Sequence, residues 1–383
     1  MSLTRPAIPG AAPSGGGLSW RGIPVVLPRR GDPRLRLSAV IISLQVLGQA
    51  GLNFKVSVAQ ILISVAVCGL VEIGITYRRQ QALVWPASAI LTGNGVAFIL
   101  RAAGTRHGQW WTLHGVGFFI LAALIGLLSK YLIKPGGRQV YNPSNLGLVA
   151  CLLVVSSPDV FPQYLWWGPL NPPVITALAI ILLGVVWVLR PVGMLPMTAA
   201  FLVPFGAMIG GLAATGHCFA AIWHTGPVCG LAYWHDITLS PELLIFVFYM
   251  MSDPKTAPRS ARSRLAYAGI TALIAAGLIA FQPTEYGVKV ALLAALTIVC
   301  SLVPALERAC DRPQARGPRS MDEPCRGAPR QPASEWRHRV TPSTVAVALI
   351  LVTVPLAVSR LAGDQQLLNL ERGITTSGTP PSQ

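Results

Sequence analysis

Residues 239–258 read Leu-Ser-Pro-Glu-Leu-Leu-Ile-Phe-Val-Phe-Tyr-Met-Met-Ser-Asp-Pro-Lys-Thr-Ala-Pro. Ser240-Pro241 suits a helix start and Asp253-Pro254 a helix stop. Between them lie only about twelve apolar residues, whereas a helix crossing a bilayer needs about 20. A second run, 83–100, is interrupted by Leu91-Thr92-Gly93-Asn94-Gly95. These are the third and eighth of ten apolar runs, near 37–52, 56–76, 83–100, 116–133, 143–156, 174–190, 194–214, 241–252, 264–281 and 287–306. Lying five apart, they run in opposite directions if the spans alternate, as two inverted halves require. Backbone that leaves the helix at membrane depth must face protein or a cavity, so paired interruptions point to a central site. The competing reading is that Gly and Pro merely kink ordinary helices. The fold expected is an all-α integral membrane protein: ten transmembrane helices in two inverted five-helix repeats, plus one extra C-terminal span.

Composition supports the membrane reading. Only 11% of the 383 residues are charged and 52% are hydrophobic, where an ordinary soluble domain carries roughly 25% charge. Mean hydropathy is +0.56. A soluble enzyme, a disordered chain and a nucleic-acid-binding domain are excluded as the main theme. The net charge of +16 comes from basic residues set between apolar runs. Residues 1–36 read as a disordered basic tail with six Pro and six Arg. They hold no apolar signal-peptide core, so the first span is expected to act as an uncleaved signal. Residues 37–306 form the ten-span domain, with 20 charged residues in 270. An Arg-rich linker (307–342), the extra span (343–360) and a polar tail (361–383) follow. With the N-terminus inside and the spans alternating, 24 Lys and Arg fall inside and 6 outside. That asymmetry is the positive-inside pattern and supports both the span count and a multi-pass protein with its N-terminus inside.

Three stretches carry chemistry: Leu91–Phe98 with Thr92 and Asn94, Gly136–Gly147, and Phe248–Pro258. In the second, Asn142 or Ser144 can cap a helix whose first turn holds Pro143. Its exposed N–H groups, with Arg138, could hold a phosphate or another anion, or could be a plain helix start beside a snorkelling Arg. In the third, Asp253 sits at the inner end of the short span, with Lys255 and Thr256 after it. It could bind a cation, relay a proton, or only stop the helix. Glu72, near Arg78 and Arg79, is either an intramembrane functional acid or a paired, snorkelling one.

On the outer side, His217, His224 and His235 share a region with Cys218 and Cys229. Three readings stand: an aromatic belt with polar ring atoms at headgroup level, a loop braced by a Cys218–Cys229 disulfide, or a metal or haem site. No CxxC pair occurs among the seven Cys.

The Asn142-Pro143 stretch resembles the Phe-Asn-Pro segment of the membrane subunits RnfD and NqrB. Phe248–Pro258 resembles their Phe-Phe-Met-x-x-Asp-Pro-x-Thr segment. The likeness is closer to the UnbU-type proteins found with enediyne biosynthesis clusters. It is carried by Val84-Trp85-Pro86-Ala87-Ser88-Ala89 through Gly93-Asn94-Gly95, by Gly104–Trp111, Leu128–Tyr131, Tyr141–Asn145 and Trp166–Leu170, and by Ser252-Asp253-Pro254-Lys255-Thr256. It spans roughly residues 37–306. The resemblance implies a ten-helix inverted-repeat fold and redox-coupled electron or ion transport, in the setting of enediyne biosynthesis. It also implies partner membrane or redox subunits, since no NADH-binding Gly-rich loop or iron–sulfur ligands are present.

The resemblance further implies flavin. Covalent FMN is not expected, because the Ser-Gly-Ala-Thr motif is absent and residues 157–173 contain no Thr. A noncovalent FMN or riboflavin stays open. The central site expected comprises Thr92, Asn94, Arg138, Asn142, Ser144, Asn145, Asp253, Lys255 and Thr256. The alternative function is a cofactor-free transporter or channel for a small metabolite, in export or self-protection.

Overall fold

The structure, a computed structural model, describes residues 19–28, 32–134, 137–155, 159–164 and 170–310. The expected linker beyond residue 310, the extra span at 343–360 and the tail at 361–383 lie outside the described residues, as do residues 1–18. Described residues are mostly helical. In chain order they form β1 (Ser19–Trp20), β2 (Ile23–Val26), α1 (Pro33–Gly51), α2 (Val58–Gln80), β3 (Leu83–Val84), α3 (Ala87–Ile99), β4 (Leu100–Ala102), α4 (Val116–Leu132) and α5 (Pro143–Val154). The second half holds β5 (Val160–Pro162), α6 (Pro172–Gly184), α7 (Leu195–Ala214), β6 (Cys218–Ala220), β7 (Pro227–Cys229), α8 (Gly230–Thr238), α9 (Pro241–Ile245), α10 (Ala261–Ile279) and α11 (Glu285–Cys310). A π-helical turn and a short 3₁₀ turn extend α6 to Val192. A π-helical segment, Phe246–Met251, extends α9.

Four of these helices are long and apolar enough to cross a membrane: Val58–Gln80, Pro172–Val192, Leu195–Ala214 and Glu285–Cys310. The chain thus has the character of a helical membrane protein. Each of the ten apolar runs carries a helix or helical segment, several of them shorter than a bilayer crossing.

The starts are written in local chemistry. Asp32, Asn142, Asn171 and Ser240 each accept a first-turn backbone N–H at 2.9–3.2 Å and precede a Pro. That Pro has no N–H to leave unsatisfied and a preset φ. Ser57 and Gln60 cap α2 reciprocally, at 3.0 and 2.8 Å.

Hydrogen bonds between loops mark two ends of the bundle. At one end Val84 pairs with Val26, and Arg138 reaches both Glu307 and the Ala257 carbonyl. At the other, Ser57 donates to the Thr112 carbonyl, Ala103 to Asp159 and Ala220 to Pro283. The first end is the basic end, and the other is called here the hairpin end after the paired β6 and β7. In the first half α2 packs on α4 and α4 on α5; in the second, α7 packs on α10 and α10 on α11. The halves meet where α1 lies against α6 and α5 against α11.

Two expectations need correction. Leu91-Thr92-Gly93-Asn94-Gly95 does not interrupt its span: α3 is continuous from Ala87 to Ile99. Gly93 serves packing instead. A Cβ there would collide with the Ser64 backbone of α2, and Ser64 Oγ donates to the Gly93 carbonyl at 2.9 Å. The N-terminal tail is also not unstructured throughout. Residues 19–26 form a hairpin whose second strand runs parallel to β3, and α1 begins at Pro33 because Asp32 caps it.

Candidate functional site

A chamber of about 370 Å³ lies between the two halves. Its walls come from the start of α1, from α3, from the first turn of α5, from the end of α6 and from the π segment after α9. Leu37, Phe98, Val188 and Phe248 make it largely apolar, and polar groups gather toward the basic end. Both π-helical segments border it, in keeping with the frequent placement of such turns at functional sites. Tyr249, on the second, donates its hydroxyl to the Ile181 carbonyl at 2.6 Å, which ties that segment to α6 within the second half, beside the chamber.

Five of the nine expected site residues line this chamber: Thr92, Asn142, Ser144, Asp253 and Lys255. Asn142 is the organising group. Its Oδ1 caps α5 and accepts the Ser144 hydroxyl at 2.9 Å, while its Nδ2 donates to the Met250 carbonyl at 3.2 Å. One side chain therefore joins the first half's helix start to the second half's π segment. Thr92 spends its hydroxyl on the Ser88 carbonyl at 2.9 Å. Asp253 folds its carboxylate back onto the Lys255 backbone N–H at 3.0 Å. Burial raises its pKa from the ordinary carboxylate value, and that bond, with the Lys255 and Lys130 charges, opposes the rise.

The other four are placed elsewhere. Arg138 borders the basic-end pocket, ion-paired to Glu307 at 2.6 Å. Asn145 ties α5 to α11 through the Leu293 carbonyl (3.0 Å) and Thr297 Oγ1 (2.9 Å). Asn94 and Thr256 are buried in the packing, away from the chamber wall. Asn and Thr side chains in a close-packed helix bundle also serve as interhelical ties, which sequence position alone does not separate from ligand contacts.

At the hairpin end, Cys218 and Cys229 form a disulfide across β6 and β7, with Cα atoms 4.4 Å apart. The three imidazoles are not gathered. His217 pairs with Thr215 Oγ1 (3.0 Å), His224 with the Gly226 carbonyl (3.2 Å) and His235 with Asp236 (3.0 Å). Among the described residues no group of three or more His, Cys, Asp and Glu is placed to hold a metal ion, so His217, His224 and His235 do not come together as a shared metal site. Each ring is satisfied by its own turn.

One cluster escaped the sequence reading. Lys289 Nζ lies 2.6 Å from both Glu242 and Glu285 and donates to the Gln163 carbonyl at 3.2 Å. Lys289 and Glu285 are buried. Nearby, Arg101 stacks on Tyr164 at 4.1 Å and bonds its hydroxyl at 3.0 Å, with the Lys289 ammonium 5.3 Å from the same ring. The available signal was the i, i+4 spacing of Glu285 and Lys289 in an otherwise apolar helix. The buried Lys130 and the half-buried Glu72 make a second pair, at 2.6 Å, between α2 and α4.

No family model matches the chain, and no match to a curated protein is found.

Proposed function

We propose that this chain is a multi-pass protein of a bacterial cytoplasmic membrane, built as ten spans in two inverted five-helix halves with its basic end inside. Its central chamber would hold a ligand used in redox-coupled electron or ion transport. The observation that carries this reading is the chamber itself. It lies where the halves meet, bordered by α3 and by the short π-extended α9, which are the third and eighth spans. The repeated packing of α2–α4–α5 as α7–α10–α11, and the self-pairing of α1 with α6 and α5 with α11, supports the inverted symmetry. The hairpin-end disulfide supports an oxidising compartment on that side.

The resemblance to RnfD, NqrB and the UnbU-type proteins supplies the redox part, with enediyne biosynthesis as its setting. A noncovalent FMN or riboflavin is the cofactor it favours. The apolar, partly aromatic walls and the polar groups at one end suit a planar ligand with a polar side chain. Thr92, Asn142, Ser144 and Lys255 would hold and orient it, and a bound flavin would supply one- and two-electron chemistry. Partner subunits would supply and accept the electrons.

The test is the visible absorption and fluorescence of the detergent-purified protein, before and after acid denaturation. Flavin released by acid supports the reading. A colourless protein with intact fold rejects the redox part and leaves the second reading, transport of a small metabolite through the same chamber.

A further inference from the structure

The basic end holds a second cavity, of about 550 Å³. It shares Arg34, Ser88, Gln139, Pro254 and Lys255 with the chamber, so the two meet at a common neck. Its cations divide into two sets. Arg34 is answered by Asp32, Lys130 by Glu72 and Arg138 by Glu307, each at 2.6 Å. Lys134, Lys255 and Arg259 have no carboxylate within ion-pair distance among the described residues. Lys134 instead faces the Tyr131 ring at 5.3 Å, and Arg259, whose backbone N–H bonds Glu307, borders the cavity.

This excess is held against its own repulsion. Burial, then Arg79 and Lys130, lowers the Lys134 pKa below its ordinary value. Burial and then Arg34 do the same to Lys255, with Asp253 pulling the other way. The lining carries six Lys and Arg against one carboxylate, Glu72, and a concave surface with such an excess of one sign concentrates the opposite sign. Three surplus positive charges converging on one hollow match a multiply charged oxyanion better than a lone carboxylate, and Arg adds a planar donor fork to the two lysine point charges.

We propose that this pocket binds a phosphate group, held by Lys134, Lys255 and Arg259, of a ligand whose apolar part passes the neck into the chamber. This rests on the chamber being a ligand site, and not on the ligand being redox-active. Beyond the shared neck the wall changes from charged to apolar, at Leu37, Phe98 and Phe248. A phosphate head and an apolar body would therefore each meet their own surroundings. The phosphate could belong to a soluble phosphomonoester or to a lipid headgroup.

The experiment uses the full chain in nanodiscs of phosphatidylcholine, at constant ionic strength set with chloride. Thermal unfolding is followed with added inorganic pyrophosphate in one arm, and with phosphatidic acid replacing part of the lipid in the other. A rise in melting temperature with pyrophosphate points to a soluble source. A rise with phosphatidic acid alone points to a lipid source. In either case the Lys134→Gln/Lys255→Gln double variant should weaken the response at least roughly tenfold, while Arg106→Gln, at the hairpin end, keeps it. If the double variant does not fold, the single Lys134→Gln variant is read in the same way. No rise in either arm, or a rise that the double variant retains, overturns the proposal. A colourless protein that still responds would reject the redox reading and leave the phosphate site standing.

Discussion

Two clusters at opposite ends of the bundle treat their cations in opposite ways. At the hairpin end, Lys289 is flanked by Glu242 and Glu285, and Arg101 rests on Tyr164, so these two buried charges are answered inside the protein, while Lys55 and Arg106 border a separate cavity. At the basic end three cations with no ion pair among the described residues border a cavity. Burial explains the first arrangement. A charge removed from water must be compensated locally, because desolvation costs several kcal/mol per ion. Partial access to water permits the second, and an excess that serves no structural purpose is what a site for an external anion looks like. The internal pairs hold the fold, whereas the open cations are available for binding.

The largest effect expected from breaking this contrast is at Lys289. Lys289→Met leaves the buried Glu285 and the half-buried Glu242 without their shared ammonium and should cost about 3–5 kcal/mol of stability, read by unfolding in detergent. Adding Glu242→Gln and Glu285→Gln should recover most of the loss. Equal instability of the single and triple variants would show that the cluster is not an electrostatic unit. Next in size is the hairpin. Reducing Cys218–Cys229 opens an 11-residue separation, and in a two-state unfolding should cost roughly 2–3 kcal/mol, with Cys218→Ser/Cys229→Ser as the matching variant.

Smaller effects belong to the open end. Asp253→Asn should fold as the parent does, since the Lys255 N–H can still bond the amide oxygen. Loss of ligand binding or transport in a folded variant would sharpen the site, and unchanged function would make Asp253 only a helix stop. Lys134→Gln and Lys255→Gln should change phosphate-free stability by no more than about 0.5 kcal/mol, and any change should be stabilising. A large loss would mean that these cations are structural.

The pH response has a definite sign. Both lysines hold folded-state pKa values lowered from 10.5, so the unfolded chain binds more protons just below that value. Their contribution makes stability rise with pH through that alkaline window. Bound phosphate should flatten the rise, and the double Gln variant should lack it. Melting curves between about pH 8 and 10 check this.

Much of the bundle was legible in the sequence because apolar runs and their caps are local signals. Asn142-Pro143 and Ser240-Pro241 start helices where residue chemistry indicates, whereas Asp32-Pro33 starts one inside the stretch read as a tail. The Gly93 region misled because glycine signals a break and a close approach alike, and only the neighbouring Ser64 backbone tells them apart. The site was half legible. Asn142, Ser144, Asp253 and Lys255 come from stretches that stand out by themselves. Arg34, Lys134 and Arg259 matter through a cavity that forms only when α1, the α4–α5 loop and the loop before α10 converge. Glu285 and Lys289 were hidden because the partners that complete the cluster, Glu242 and Gln163, come from distant segments.

The most direct test of the account is a cryo-EM map of the purified full chain in nanodiscs made from native lipid extract. The account predicts non-protein density in the cavity beside Lys134, Lys255 and Arg259, continuing through the neck past Gln139 into the chamber against Phe248. A chamber and cavity both free of ligand density, with those three side chains turned out to solvent or closed onto the protein's own carboxylates, would contradict it.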